Sequence, residues 1–323
     1  MECDLKFIDL FCGIGSFHHS FTSLGMKCVF ACDVSEDCRR TYEKNYGLKP
    51  ADDICKVNVG DVPSFDILCA GFPCQPFSVA GGHKGFSDYR GTMFFETMKF
   101  VDHHHPKCVV FENVAGLESH DKGNSLKKII ETLEEKGYKV VHRILTCSDY
   151  GIPQMRKRMF IIGMKCEVSD CLLDFTPTAT LSLTDYLNKG RDFLEHLQFT
   201  KKDVAYTIRC GGRGSGVNDS HNWDGYYAKQ MCDSEDEDEE EYVYRLSIQD
   251  CLKLQGFDEN KFVLIGSDRA KWKMVGNTIP TNLTRLIGTA VKNVLLTSVT
   301  DEKEEKKANV EKELKIIKKI KKC

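Results

Sequence analysis

Cys74 stands apart from the other cysteines of this chain because it lies between two prolines, in Gly71-Phe72-Pro73-Cys74-Gln75-Pro76-Phe77-Ser78. A thiolate is a strong nucleophile, and flanking prolines hold the backbone around it in a fixed course. A single cysteine is ordinarily a small buried hydrophobe, so its setting has to decide. Here the preceding run, Phe65-Asp66-Ile67-Leu68-Cys69, reads as a buried strand, which puts Cys74 just past a strand end. Two more polar segments reach the same sheet edge. Glu112-Asn113-Val114 follows the strand Lys107-Cys108-Val109-Val110-Phe111, and Gln154-Met155-Arg156-Lys157-Arg158 leads into Arg158-Met159-Phe160-Ile161-Ile162-Gly163. A thiol, a carboxyl and guanidinium groups gathered at one edge make a site for nucleophilic and acid–base chemistry rather than a core.

A second group of residues suits a nucleoside cofactor. Phe11-Cys12-Gly13-Ile14-Gly15-Ser16 follows a first strand at Lys6–Phe11 and opens a helix from Ser16 to Leu24. Glycines let the backbone turn tightly and approach a ligand, and the N–H groups of a helix start face an anion. Alone, the pattern is a weak signal, and more often it is simply a tight turn. Asp33, at the end of a second strand (Lys27–Cys32), can accept hydrogen bonds from both hydroxyls of an adenosine ribose. The third glycine of the dinucleotide fingerprint is missing, and His18 stands there. That disfavours a pyrophosphate, whereas S-adenosylmethionine presents only an amino-acid carboxylate and needs less room. Asp53, after a second helix from Ser35 to Tyr46, is a candidate for the adenine amino group.

The elements that position these residues alternate strand and helix through the first half, with a further helix from Ser125 to Glu135 ending at Gly137. Such alternation predicts an α/β fold, a doubly wound and mostly parallel sheet with helices on both faces. After about Lys165 the pattern breaks into short apolar runs, a glycine-rich stretch at Cys210–Gly216 and the acidic run Asp233–Glu241. We divide the chain into a catalytic, cofactor-binding domain (1–168 plus 268–298), a smaller irregular domain (169–267) and a charged tail (299–323). His103-His104-His105, before Pro106, reads as a helix end rather than a metal site. The scattered cysteines lack zinc-site spacing and read as free thiols, and no metal is expected. No run of about 18 apolar residues suggests a membrane span, and the acidic start is not a signal peptide. Net charge is −3, but the acidic run alone contributes eight negative charges and leaves the remainder at +5, so net charge does not exclude nucleic acid.

In this order, Asp9–Gly15, Gly71–Ser78, Glu112-Asn113-Val114, Gln154-x-Arg156-x-Arg158, Arg245-Leu246 through Leu254-Gln255-Gly256-Phe257, and Gly276–Pro280 resemble the conserved blocks of small bacterial-type cytosine-5 DNA methyltransferases. The matches run from about residue 6 to 290. The resemblance implies the Rossmann-like fold of S-adenosylmethionine-dependent methyltransferases, with 169–267 as a target-recognition domain. It implies that Cys74 adds to ring position 6 of cytosine, that Glu112 bonds or protonates ring nitrogen 3, and that Arg158 and Arg156 fix the base at its carbonyl oxygen. Cofactor contacts are expected from Phe11, Gly13, Ile14, Gly15, Asp33, Val34, Asp53, Ile54, Phe72 and Asn277.

The partner is double-stranded DNA, from which the target base is flipped into the pocket. Gln75, Ser78, Lys84 and Arg90 are expected to meet it from a glycine-rich loop, and Arg209 and Arg213 to read guanine edges or bind phosphates. Asn218, His221, Asn222 and Trp223 add polar readers and an aromatic wedge. We expect a monomer inside the cell with access to DNA, in a prokaryote, an infected cell or a nucleus, and a separately acting cognate restriction endonuclease is compatible. Ser16 replaces the family's usual glycine and suits a helix cap, and Asp258 stands where proline is common. The acidic run resembles an enlarged hairpin turn. The rivals are a tRNA cytosine-5 methyltransferase of the same fold, whose usual Cys-Phe-Thr tripeptide is absent here, and a catalytically inactive DNA-binding homologue, against which the Cys74, Glu112 and Arg158 set argues.

Overall fold

The computed structural model describes residues 4–73, 91–187, 197–198, 204–205, 207–208, 227–230 and 243–297. Apolar runs rich in β-branched and aromatic residues form the strands β1 (Lys6–Leu10), β2 (Lys27–Cys32), β3 (Ile67–Ala70), β4 (Cys108–Val114), β5 (Lys139–Thr146) and β6 (Lys157–Met164). They make one six-stranded sheet in the order β2-β1-β3-β4-β6-β5. The pairs from β2 to β4 are parallel, and β6 runs antiparallel to both β4 and β5. The sheet is therefore mostly parallel, with one reversed strand. The sequence reading did not anticipate β5. Its alternation is blurred by the adjacent polar residues His142 and Arg143, both exposed on this edge strand.

Successive strand residues point to opposite faces, and both faces are covered. Phe7, Cys69, Val110 and Phe160 share one core with Phe17 and Phe21 of α1 (Ser16–Ser23) and with Leu283, Ile287, Val291 and Leu295 of a helix over 281–297. Ile8, Leu68, Phe111 and Ile161 share the other with Phe94, Met98 and Val101 of α3 (Gly91–His104) and Leu126, Ile129 and Leu133 of α4 (Asn124–Glu135). Between α1 and α3 in the chain lies α2 (Glu36–Tyr46), capped by the Ser35 side chain and ended by Gly47 in the left-handed conformation. The histidine triplet ends α3, with His105 left-handed at φ 47° ahead of Pro106.

Leu183 and Leu187 of a short helix α5 (Leu183–Leu187) join the first core. So do Cys251, Leu252 and Leu254 of α6 (Ile248–Leu254) and Met274 and Val275 of α7 (Asp268–Asn277). The stretch 246–257, grouped by sequence with the smaller domain, thus shares its core with the large sheet. A separate antiparallel sheet joins β7 (Leu197–Gln198), β8 (Tyr227–Gln230) and β9 (Val243–Arg245). The acidic run 233–241 falls between β8 and β9 in the chain and lies outside the described residues, as does the tail beyond 297. Every described cysteine is a free thiol. Among the described residues no helix is long and apolar enough to cross a membrane.

Candidate active site

At the end of β1 the backbone takes left-handed conformations at every second residue: Phe11 (φ 56°), Gly13 (φ 53°) and Gly15 (φ 89°). Such alternation turns backbone N–H groups into a concavity suited to an anion. A side chain at Gly13 would meet nothing within 4 Å, so the space before it is open. At Gly15 the opposite holds, because a Cβ there would lie 2.4 Å from Tyr46 Cε2 and 2.9 Å from Tyr42 Cε2. Those tyrosines, both from α2, back the turn. The Tyr46 hydroxyl donates to the carbonyls of Ile14 (3.2 Å) and Gly15 (3.0 Å). His18, in place of the third glycine, stacks on Tyr46 at 4.1 Å, and its Nδ1 lies 2.7 Å from the Tyr42 hydroxyl. Burial, then the nearby His19, pushes His18 down to about 4, so it is neutral at physiological pH.

Asp33 closes the turn from β2. Its Oδ2 accepts the Gly13 N–H at 2.8 Å and its Oδ1 accepts the Ser35 N–H at 2.8 Å. Arg39 holds the same corner by donating to the carbonyls of Asp33 and Val34, each at 2.9 Å. Burial raises the Asp33 carboxyl above its usual range, opposed by those two N–H groups and by Arg39 and Lys273. Each Asp33 oxygen uses only one of its two acceptor positions on the backbone, which leaves it able to take a ribose hydroxyl. The open space before Gly13, the spare acceptors of Asp33 and the exposed Val34 (76%) beside it fit the adenosine of S-adenosylmethionine. Asp53 accepts the Cys55 N–H at 3.0 Å as cap of the short turn Ile54–Lys56, with Ile54 and Phe72 buried nearby in one core.

The Gly276–Pro280 block reaches this turn from the far end of the chain. Ser16 starts α1 behind Gly15, and its hydroxyl donates to the Ile279 carbonyl at 2.7 Å. The expected capping role is not what the serine does: Gly15 is the cap, and Ser16 ties two distant segments. Asn277 ends α7 and is exposed there.

The other end of the edge carries the carboxyl and the arginines. Because β4 and β6 are antiparallel, Arg158 near the start of β6 faces the end of β4, diagonal to Glu112 on the same face. Arg158 Nε donates to Glu112 Oε1 at 2.7 Å, with both side chains about nine-tenths buried, 12% and 10% exposed. The second oxygen, Oε2, lies against Gly71, where a Cβ would approach it to 3.3 Å. Asn113 Nδ2 donates to the Phe72 carbonyl at 3.1 Å, fixing the strap that runs from Gly71 to Pro73. Burial raises the Glu112 carboxyl above its ordinary range, with Arg158 and then Arg156 pulling it back.

Arg156 departs from expectation. It is only 1% exposed, and its guanidinium donates to two main-chain carbonyls, Ile208 at 2.6 Å and Gly276 at 2.9 Å. Among the described residues, these contacts place its terminal nitrogens on the main chain. Cys74, Gln75, Ser78, Lys84, Arg90, Arg209 and Arg213 lie outside the described residues, as do Asn218, His221, Asn222 and Trp223. Sequence reasoning missed the backing residues Tyr42, Tyr46 and His18 and the tie between Asn113 and Phe72. Two tyrosines spaced four apart on α2 were a visible signal, but their partner was not.

Residues 5–293 match the family of C-5 cytosine-specific DNA methylases. The type II methyltransferase M.DsaV of Dactylococcopsis salina is 38% identical over 299 residues, covering 88% of this chain and 84% of that protein. The type II methyltransferase M.MspI of Moraxella sp is 35% identical over 302 residues, covering 90% and 72%. Among solved structures, the S. pombe Dnmt2 methyltransferase superposes with a TM-score of 0.68 at 20% identity, covering 90% of this chain and 99% of that one, a likeness of fold. An open left-handed glycine turn, a buried carboxyl–guanidinium pair and a match along most of the chain agree: this protein belongs to the C-5 cytosine-specific DNA methylase family and is a DNA (cytosine-5)-methyltransferase.

Proposed function

We propose that the protein methylates carbon 5 of a cytosine flipped out of a short specific duplex sequence, through a covalent adduct at Cys74. The observation that carries this reading is the buried Glu112–Arg158 pair set against the Gly71–Pro73 strap, because Cys74 directly follows Pro73 in the sequence. Carbon 5 of cytosine is too electron-poor to attack an alkylating group. Attack of the Cys74 thiolate at ring position 6 forms an S–C bond, breaks aromaticity and gives carbon 5 carbanion character. Glu112 delivers a proton to ring nitrogen 3 as that bond forms, so negative charge does not build up on the ring. A carboxyl raised by burial is protonated over a wider pH range, which suits it to donate. Arg158 orients Glu112 and holds the carbonyl oxygen of the base. As carbon 5 takes the methyl group, nitrogen 3 returns its proton to Glu112; the carbon-5 proton then leaves to water or hydroxide, the S–C bond breaks, and the thiolate departs with the aromatic ring restored.

S-adenosylmethionine, when bound, supplies an electrophilic methyl group on its sulfonium. Phe11, Gly13, Ile14 and Gly15 would cradle it, Asp33 would accept from its ribose, Val34, Ile54 and Phe72 would flank it, and Asp53 and Asn277 would complete the polar contacts. Gln75, Ser78, Lys84 and Arg90 engage the DNA near the target base, and Arg209 and Arg213 read or anchor the sequence. The protein acts as a monomer within a cell, where a restriction endonuclease of the same specificity can act separately.

A duplex carrying 5-fluorocytosine tests the mechanism, because fluorine at carbon 5 cannot leave as a cation and the adduct persists. With that duplex and S-adenosylmethionine, the wild-type protein should give a denaturation-resistant protein–DNA complex and Cys74→Ala none. Complex formation by Cys74→Ala, or transfer to tRNA in place of duplex DNA, overturns the reading.

A further inference from the structure

The buried side chain that the mechanism leaves unused is Arg156, and its position is unusual. Its two terminal nitrogens reach the carbonyls of Ile208 and Gly276, at 2.6 and 2.9 Å. Ile208 directly precedes Arg209, the first of the expected DNA-reading arginines, and Gly276 directly precedes Asn277. Two residues beyond Arg156 is Arg158, which holds Glu112. One guanidinium therefore touches a residue next to the recognition segment and the first residue of the Gly276–Pro280 block, and β6, which begins directly after Arg156, carries the arginine that sets the acid.

The rest of the contact is stitched with similar care. Fully buried Gln154 accepts the Ile208 N–H at 3.1 Å and donates to the Leu254 carbonyl at 2.7 Å. The main chains pair as well: Met155 N–H to the Ala205 carbonyl at 2.7 Å, and Ala205 N–H to the Pro153 carbonyl at 2.8 Å. At the surface, the Thr207 hydroxyl donates to the Met155 carbonyl at 2.8 Å. Ile208 cannot shift without taking an acceptor from a buried cation, and a buried charge that loses its partner is costly. Moving the cation instead pulls on the start of β6, where Arg158 meets Glu112. The two positions are mechanically joined.

We propose that Arg156 is a positioning residue that couples target recognition to base activation: the place of the recognition segment at Ile208 sets the place of the Glu112–Arg158 pair. Arg156 touches neither base nor cofactor in this role. The inference rests on the reading that Glu112 acts on the base and that the segment from Arg209 reads DNA. Under it, a DNA sequence that seats the segment well is methylated faster, not only bound more tightly.

The test compares Arg156→Lys, which keeps the charge but loses the two-armed fork, with Thr207→Val, which removes only the surface stitch and leaves the core intact. Each full-length protein is expressed in bacteria free of cytosine methylation, the DNA is bisulfite-sequenced, and kcat and KM are measured on duplexes carrying the preferred site and single-base variants of it. For Arg156→Lys the kcat advantage of preferred over variant sites should shrink at least about fivefold, the lower end of ordinary coupling between sites. KM for S-adenosylmethionine should move much less. Thr207→Val should shrink the same ratio in the same direction by a smaller factor while its thermal unfolding stays close to wild type. A uniform fall in kcat on all sites with the ratio unchanged in both variants overturns the proposal, as does a change confined to KM for DNA. Absence of any methylated motif from the wild-type protein would instead strike the underlying function, so the two failures are told apart.

Discussion

The two ends of the catalytic edge each hold a carboxyl, half-buried at Asp33 and buried at Glu112, and they hold it differently. At the cofactor end, Asp33 is fixed by two main-chain N–H groups, from Gly13 and Ser35. At the base end, Glu112 is fixed by a side-chain guanidinium. Burial raises both carboxyls. Backbone donors carry only partial charges and are kept by every substitution except proline, so Asp33 is a positioned acceptor whose geometry comes from the fold. Arg158 carries a full charge on a replaceable side chain, so the proton affinity of Glu112 is adjustable. The comparison separates a binding end, built to be rigid, from a chemical end, built to be tuned.

The largest effect should come at the chemical end. Glu112→Gln is expected to lower kcat by about 10²–10⁴-fold, the usual worth of a positioned acid, with little change in KM for S-adenosylmethionine. The pH profile then tests the tuning. A donor with a raised pKa works while protonated, and its contribution is lost as pH rises through that pKa. Arg158 is the first of the groups that lower Glu112, so Arg158→Gln should move this falling limb to higher pH in the residual activity. A limb that stays put or moves to lower pH would mean that the limb belongs to another group.

An intermediate effect is expected at the binding end. Gly15→Ala places a methyl group 2.4 Å from Tyr46 at a residue with φ 89°, and should cost about 1–3 kcal/mol of unfolding free energy by overpacking, with additional strain from the backbone. Chemical denaturation measures this, and wild-type stability would show that the tyrosine wall yields freely. The smallest change is Tyr46→Phe, which keeps the ring and removes the hydroxyl shared by the Ile14 and Gly15 carbonyls. A loss of about 0.5–1.5 kcal/mol is typical of one net hydrogen bond. It should appear as a rise in KM for S-adenosylmethionine at nearly constant kcat. A selective fall in kcat would erase the distinction between the two ends.

The polar residues at both ends were more legible in the sequence than their supports. Asp33, Glu112 and Arg158 stand at strand ends, and strand ends can be read from apolar runs that stop at polar residues. The sheet's parallel half was readable for the same reason. What escaped depends on partners distant in the chain. Nothing near Arg156 says that its acceptors lie at Ile208 and Gly276, and nothing near Ser16 points to Ile279. His18 read as a missing glycine, whereas its role is to stack on a tyrosine of the next helix. Strand β5 escaped because His142 and Arg143 interrupt an otherwise apolar run on an exposed edge.

The bonds from Ser16 to Ile279 and from Ser20 to Thr281 and Thr284 join residues more than 260 positions apart. Loops that long close slowly, because chain entropy must be lost before the contact forms. The first βαβ units can collapse early, yet the cofactor turn lacks its rear support until the residues around 280 arrive. Until then the apolar faces of Phe17 and Phe21 have no helix over 281–297 to cover them. Such a chain is prone to aggregate while it waits. Slow synthesis at low temperature should therefore raise the yield of folded enzyme, and a chain cut before residue 276 should accumulate as insoluble material rather than as a weaker methyltransferase.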